Sequence, residues 1–145
     1  MTYLLDTNIL SELVRPDPSP GVLAHYQRNW RHCQTAAVIE HEVRYGIARH
    51  PSLSRQQALT KAYDQLLGAP GMVILPYDAP AARWHARERA RLETMGLPRA
   101  FADGQIAAIA ATCGLILVTR NTTDFISYSG LCIENWFTDG QDGSA

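Results

Sequence analysis

Residues 102–125, ADGQIAAIAATCGLILVTRNTTDF, decide the fold. Residues 102–113 are small or apolar almost throughout, which predicts a buried helix, and Gly114 ends it. Residues 115–118, LILV, then read as a short buried strand bounded by glycine and threonine. A polar turn or short helix follows, through Asp124 to residue 127. Outward from this unit, the same alternation recurs. Residues 3–5 (YLL) predict a buried strand and residues 8–14 a short helix, stopped by Pro16 and Pro18. Ser19 is placed to cap a second helix, with Pro20 at its first position, running towards Trp30. A short strand is expected at 33–35. A helix at 37–49 follows, with Val38, Ile39, Val43 and Ile47 at helical spacing. Ser54 is expected to cap a helix towards Leu67. A strand at 72–75, an Arg-rich helix at 79–95 and a last strand at 131–133 complete the pattern. Strands separated by helices predict an α/β fold, a parallel sheet of four to five strands covered on both faces. Residues 1–137 are expected to form one domain, with 138–145 a flexible C-terminal tail.

Composition narrows the function classes. The chain has 145 residues, 46% hydrophobic and 19% charged, so it can bury a core and is neither a disordered tail nor a membrane protein. No apolar run approaches the roughly 18 residues of a membrane-spanning helix, and nothing at the N-terminus resembles a secretory signal. The cytoplasm is the expected compartment. Thirteen basic and fourteen acidic residues give a net charge of −1, so any nucleic-acid contact must come from a local basic stripe. Arg83, Arg87 and Arg91 fall on one helix face and are candidates for phosphate contacts. Cys33, Cys113 and Cys132 form no C-x-x-C pair and are expected as buried free thiols.

Chemistry in a parallel α/β sheet sits beyond the carboxyl ends of its strands. Asp6 directly follows the first strand, where it serves equally as a helix cap or as a site acid. Glu42 lies in the helix after the second strand; its neighbour Glu40 is spaced to pair with Arg44. Asp103 opens the buried helix, where the helix dipole favours a carboxylate and capping is the alternative role. Asn121 and Asp124 follow the 115–118 strand and reach the same rim. Carboxylates gathered at one edge raise one another's pKa unless a cation neutralises them. Hard oxygen donors suit Mg²⁺ or Mn²⁺, and the matching chemistry is metal-assisted hydrolysis of a phosphodiester.

Four segments, LLDTNILSE (4–12), HEVRYGI (41–47), ADGQIAA (102–108) and LVTRNTTDF (117–125), together resemble the PIN-domain nucleases. Within that family they resemble the VapC/FitB-type toxins of toxin–antitoxin pairs. The resemblance spans nearly the whole chain and implies a PIN-like three-layer sandwich with a Mg²⁺- or Mn²⁺-dependent ribonuclease site. Residue by residue, Asp6, Glu42 and Asp103 match the family's core acids. Asn121 or Asp124 matches the fourth position, which leaves that position open between an amide and a carboxylate. Thr7, Asn8 and Thr119 match polar positions near the acids. The resemblance also implies an RNA substrate, a cognate antitoxin that occludes the site, and a homodimer within a larger assembly, with the antitoxin docking near residues 9–14 and 22–30.

Other chemistries find less support. His41-Glu42 begins like a zincin motif, but Tyr45 stands where the second zinc ligand belongs. An aspartyl-nucleophile phosphatase needs a second Asp two residues after Asp6, where Asn8 stands. A non-catalytic α/β binding module with a degenerate acidic site remains an alternative to the nuclease reading.

Overall fold

The computed structural model describes residues 1–137, so the expected tail at 138–145 lies outside the described residues. Five parallel strands form one sheet: β1 (Tyr3–Leu5), β2 (Cys33–Ala36), β3 (Ile74–Leu75), β4 (Ile116–Val118) and β5 (Ile133–Glu134). Their spatial order is β3-β2-β1-β4-β5, with Tyr3 opposite Cys33 on one side and Ile116 on the other. The helices are α1 (Thr7–Leu13), α2 (Pro20–Asn29), α3 (Ala37–Ala48), α4 (Leu53–Leu67), α5 (Ala79–Thr94), α6 (Phe101–Thr112) and α7 (Thr122–Phe125). This is the expected α/β sandwich.

Leu4, Leu5, Leu117 and Val118 are wholly buried, as central strands covered on both faces require. Helix α6 is buried from Ile106 to Ala110, which explains why its sequence carries no polar face. Strand order reverses at β1: the chain leaves it for β2 on one side and returns to β4 on the other. That reversal opens a crevice between the loops leaving the two strands. Asp6 ends β1 and Thr119 ends β4, and the backbone N–H of Asp6 donates to the carbonyl of Val118 at 3.0 Å.

Several local expectations change. Ser52, not Ser54, caps α4: its hydroxyl accepts from the Arg55 N–H at 3.2 Å, and Ser54 lies inside the helix. Ser19 holds the N-cap position of α2 but its buried hydroxyl makes no hydrogen bond. Its backbone N–H is instead taken by Glu12 at 2.7 Å. Buried Glu12 thus ties the α1–α2 connection. Of the cysteines only Cys33 is buried, and burial pushes its thiol up to about 12; Cys113 and Cys132 are exposed. Among the described residues no helix is long and apolar enough to cross a membrane.

Candidate active site

The crevice between β1 and β4 is a cleft of about 300 Å³, lined by Asp6, Glu42, Asp103 and Asn121 together with Thr7, Asn8 and Ser11. Four of the five candidate site residues therefore meet, from positions up to 115 residues apart. Asp124, the fifth, lies on the first turn of α7 and does not line the cleft, but its charge acts on both Asp103 and Asp6.

Asp6 is 6% exposed and each of its carboxylate oxygens accepts a hydrogen bond. One oxygen accepts the Thr7 N–H at 2.8 Å, which makes Asp6 the N-cap of α1. The other accepts the Thr119 hydroxyl at 2.8 Å. Capping and site placement are thus one arrangement rather than alternatives. The Thr119 oxygen itself accepts from Asn8 Nδ2 at 3.3 Å and from the Asn121 N–H at 3.1 Å. With its lone pairs occupied, the hydroxyl has its proton committed to Asp6. Asn8 also accepts the Arg120 N–H at 3.0 Å, binding α1 to the turn after β4. Burial raises the pKa of Asp6; the Thr119 and Thr7 hydrogen bonds oppose that, and the charges of Glu42 and Asp124 add to it.

Glu42 projects from the exposed side of α3, where its Oε1 accepts the Thr7 hydroxyl at 3.0 Å. Thr7 thereby touches two acids, Asp6 through its backbone and Glu42 through its side chain. Asp103 sits in the first turn of α6 and is pushed up to about 6. Burial is the main cause, followed by repulsion from Asp124, Asp6 and Glu42; Arg99 works against it. A carboxyl held this high marks a site where burial and like charges outweigh the one cation, Arg99, that acts on it.

The cleft offers carboxylate, amide and hydroxyl oxygens and neither thiol nor imidazole, a donor set that suits a hard divalent cation. Among the described residues no three acidic, His or Cys side chains are drawn together tightly enough to form a finished cage. The acids stand around an open cleft, which would leave room for waters and phosphate oxygens on a cation held there.

Two supporting features had no signal in the sequence. Glu88 is a buried carboxylate on α5 that accepts from Arg91 through both oxygens at 2.9 Å and from the Ser129 N–H at 2.7 Å. Arg91 also donates to the Ser127 carbonyl at 2.7 Å, so the pair clamps the turn that follows α7. Arg91 is therefore not part of a free phosphate-binding stripe, and Arg89 is paired with Glu93 and lies over Phe101. The second feature is Gly104, beside Asp103, whose missing side chain lets α6 close onto buried His85 of α5. The i, i+4 pair of Glu40 and Arg44 forms as expected, with Arg44 also reaching Asp64 at 2.8 Å.

Comparison with known proteins identifies the family and the fold. A family model described as "PIN domain" matches residues 3–131. The chain is 34% identical to VapC ribonuclease Y4jK of Sinorhizobium fredii over 91% of this chain and 95% of that protein. It is 33% identical to toxin FitB of Neisseria gonorrhoeae, over 92% and 97%. Among solved structures, FitAcB from Neisseria gonorrhoeae superposes with a TM-score of 0.84 at 32% identity, over 92% of this chain and 97% of that one.

Proposed function

The chain belongs to the PIN domain family, and from that premise we propose that it is a divalent-metal-dependent endoribonuclease, the toxin of a toxin–antitoxin pair. Residues 1–137 serve as one nuclease domain, acting in the cytoplasm as a homodimer and silenced by a cognate antitoxin. The observation that carries the reading is the convergence of Asp6, Glu42, Asp103 and Asn121 on one cleft at the strand-order reversal. The curated relatives named as a ribonuclease and a toxin, each aligned over nine-tenths of this chain, support it.

Asp6, Glu42 and Asp103 hold Mg²⁺ or Mn²⁺, with Asp124 or Asn121 assisting. The ion, when bound, supplies Lewis-acid stabilisation of the charge that develops on the phosphoryl oxygens during hydrolysis. The protein's part is to fix the acids. The Thr119 hydroxyl and the Thr7 N–H each hold one Asp6 oxygen, and the Thr7 hydroxyl holds Glu42. Asp103 and Asp124 keep the rim negative until a cation arrives. Attack by water leaves a 5′-phosphate and a 3′-hydroxyl, with no side chain acting as covalent nucleophile.

Expression in a bacterial host tests the biological half of the reading. Wild-type chain arrests growth, Asp6→Asn does not, and RNA fragments from arrested cells carry ligatable 5′-phosphates. Equal arrest by wild type and Asp6→Asn, or fragments ending in 2′,3′-cyclic phosphate, contradicts it.

A further inference from the structure

Helix α3 presents an aromatic and cationic ladder that the site described above does not use. His41, Tyr45 and Arg49 follow one another at i, i+4 and i+8 on its exposed side. The His41 and Tyr45 rings are parallel within 3°, with centroids 6.2 Å apart, and the Arg49 guanidinium lies over the Tyr45 ring at 5.3 Å. Tyr45 is 57% exposed. It is also three residues from Glu42, and residues three apart are neighbours on a helix surface, roughly 5–6 Å between Cβ atoms. The ladder thus begins beside an acid of the cleft and runs away from it along the helix.

Gly46 adds an independent observation. It stands in the middle of α3, where glycine costs about 0.5–1 kcal/mol relative to alanine. A Cβ there would meet nothing within 4 Å, so packing inside this chain does not require the glycine. Gly46 adjoins Tyr45 and lies one helical turn beyond Glu42, and bare backbone there lets an external strand lie close.

We propose that the His41–Tyr45–Arg49 ladder is a stacking platform for an unpaired base of the RNA that enters the cleft, with Gly46 as the floor over which the strand leaves. This rests on the ribonuclease reading. A flat ring backed by a guanidinium suits a nucleic-acid base because every base offers a π face, whatever its sequence. Arg49 adds positive charge for the backbone phosphate beside an otherwise acidic cleft. Single-stranded RNA is the form that offers unstacked bases to such a surface.

The test uses the full chain and a single-stranded 16-mer RNA carrying 4-thiouridine, in EDTA so that the strand stays whole. Photo-crosslinking is expected to place an adduct on the tryptic peptide 45–49, which contains Tyr45. In fluorescence anisotropy, Tyr45→Ala weakens binding at least fivefold, while Tyr45→Trp, which keeps a ring, stays within twofold. An abasic 16-mer binds wild type and Tyr45→Ala alike. Circular dichroism and thermal melts confirm that the variants are folded. Binding of the base-containing strand within twofold for Tyr45→Ala overturns the proposal. So does a changed sedimentation coefficient with RNA affinity intact, which would make the ladder a contact between two copies of the chain. Metal-dependent RNA cleavage by wild type with an unaltered KM for Tyr45→Ala sinks the platform alone. No binding and no cleavage by any form sinks the ribonuclease reading and the platform with it.

Discussion

Replacing Gly104 with alanine and replacing Gly46 with alanine make the same chemical change in two helix interiors, and they are expected to act with opposite sign. At either position alanine gains up to about 1 kcal/mol of helix propensity. At Gly46 nothing opposes that gain, because the new methyl meets open space. At Gly104 the methyl would land on the His85 imidazole, within 2.6 Å of Cδ2 and nearer still to Nε2. His85 cannot swing aside cheaply. It is 3% exposed, its Nδ1 shares a 2.8 Å hydrogen bond with the Tyr77 hydroxyl, and the Phe101 ring packs on it with centroids 4.9 Å apart. Overpacking of this kind costs about 1–3 kcal/mol, and breaking the Tyr77 bond adds about 1 kcal/mol more. The net expectation is a loss of about 1–3 kcal/mol for Gly104→Ala and a gain of about 0.5–1 kcal/mol for Gly46→Ala. At about 3 °C per kcal/mol for a chain of this size, Tm falls by roughly 3–9 °C in the first and rises by roughly 2–3 °C in the second. Urea unfolding and thermal melts read both. Because Gly104 follows Asp103 on the same turn, pushing α6 off α5 also displaces that acid, and cleavage is expected to fall at least tenfold. Gly104→Ala at or above wild-type stability would refute the reasoning.

Three further outcomes follow from the same geometry. Thr119→Val removes the donor to Asp6 and is expected to lower RNA cleavage by at least tenfold, whereas Thr119→Ser retains most of it; equal rates for the two would contradict the role given to the hydroxyl. Glu88 is held down to about 2 by Arg91 and Ser129, so it stabilises the fold above its unfolded pKa near 4.5 and loses that contribution as pH falls towards 2. Glu88→Gln should therefore cost roughly 2 kcal/mol at pH 7 and progressively less between pH 4.5 and 2, a gap that chemical denaturation across that range would show or deny. Asp103 carries the opposite sign: its raised pKa favours the fold at low pH, and that advantage disappears as pH rises from 3.8 through about 6. In EDTA at pH 7, Asp103→Asn is accordingly expected to melt at or above the wild-type temperature and to lose most of the stabilisation that Mn²⁺ gives wild type; a lower Tm in EDTA would count against like-charge repulsion at the site.

The central strands and the acids that follow them were legible in the sequence because their burial leaves no alternative to apolar runs. Leu4, Leu5, Leu117 and Val118 are wholly covered, and a polar residue after such a run falls at the strand's carboxyl end. Asp6 and Asn121 follow directly from that logic, Glu42 and Asp103 from their places on the helices, and the resemblance of four ordered segments joined Asp6, Glu42 and Asp103 into one set. Legibility failed where a role depends on a distant partner. The role of Glu88 is not legible because its partner Ser129, 41 residues away, leaves no local mark. Arg91 leaves the expected stripe through its bonds to Glu88 and to the Ser127 carbonyl. Gly104 looked like another small residue in a small-residue helix until His85 was found beneath it. Caps are decided by chain direction: Ser52 and Ser54 are equally good residues, and only the path after Pro51 selects Ser52. Cys113 and Cys132 misled for a simpler reason, since apolar neighbours in sequence do not ensure burial at the end of a helix or before a short strand.

Cleavage of a mixed RNA pool by purified protein, with Mg²⁺, Mn²⁺ or EDTA and with Asp6→Asn and Asp103→Asn prepared in parallel, tests the central claim most directly. The acid cleft predicts cleavage that requires the metal and disappears in both variants. Cleavage that survives in EDTA, or that both variants retain at the wild-type rate, would contradict it.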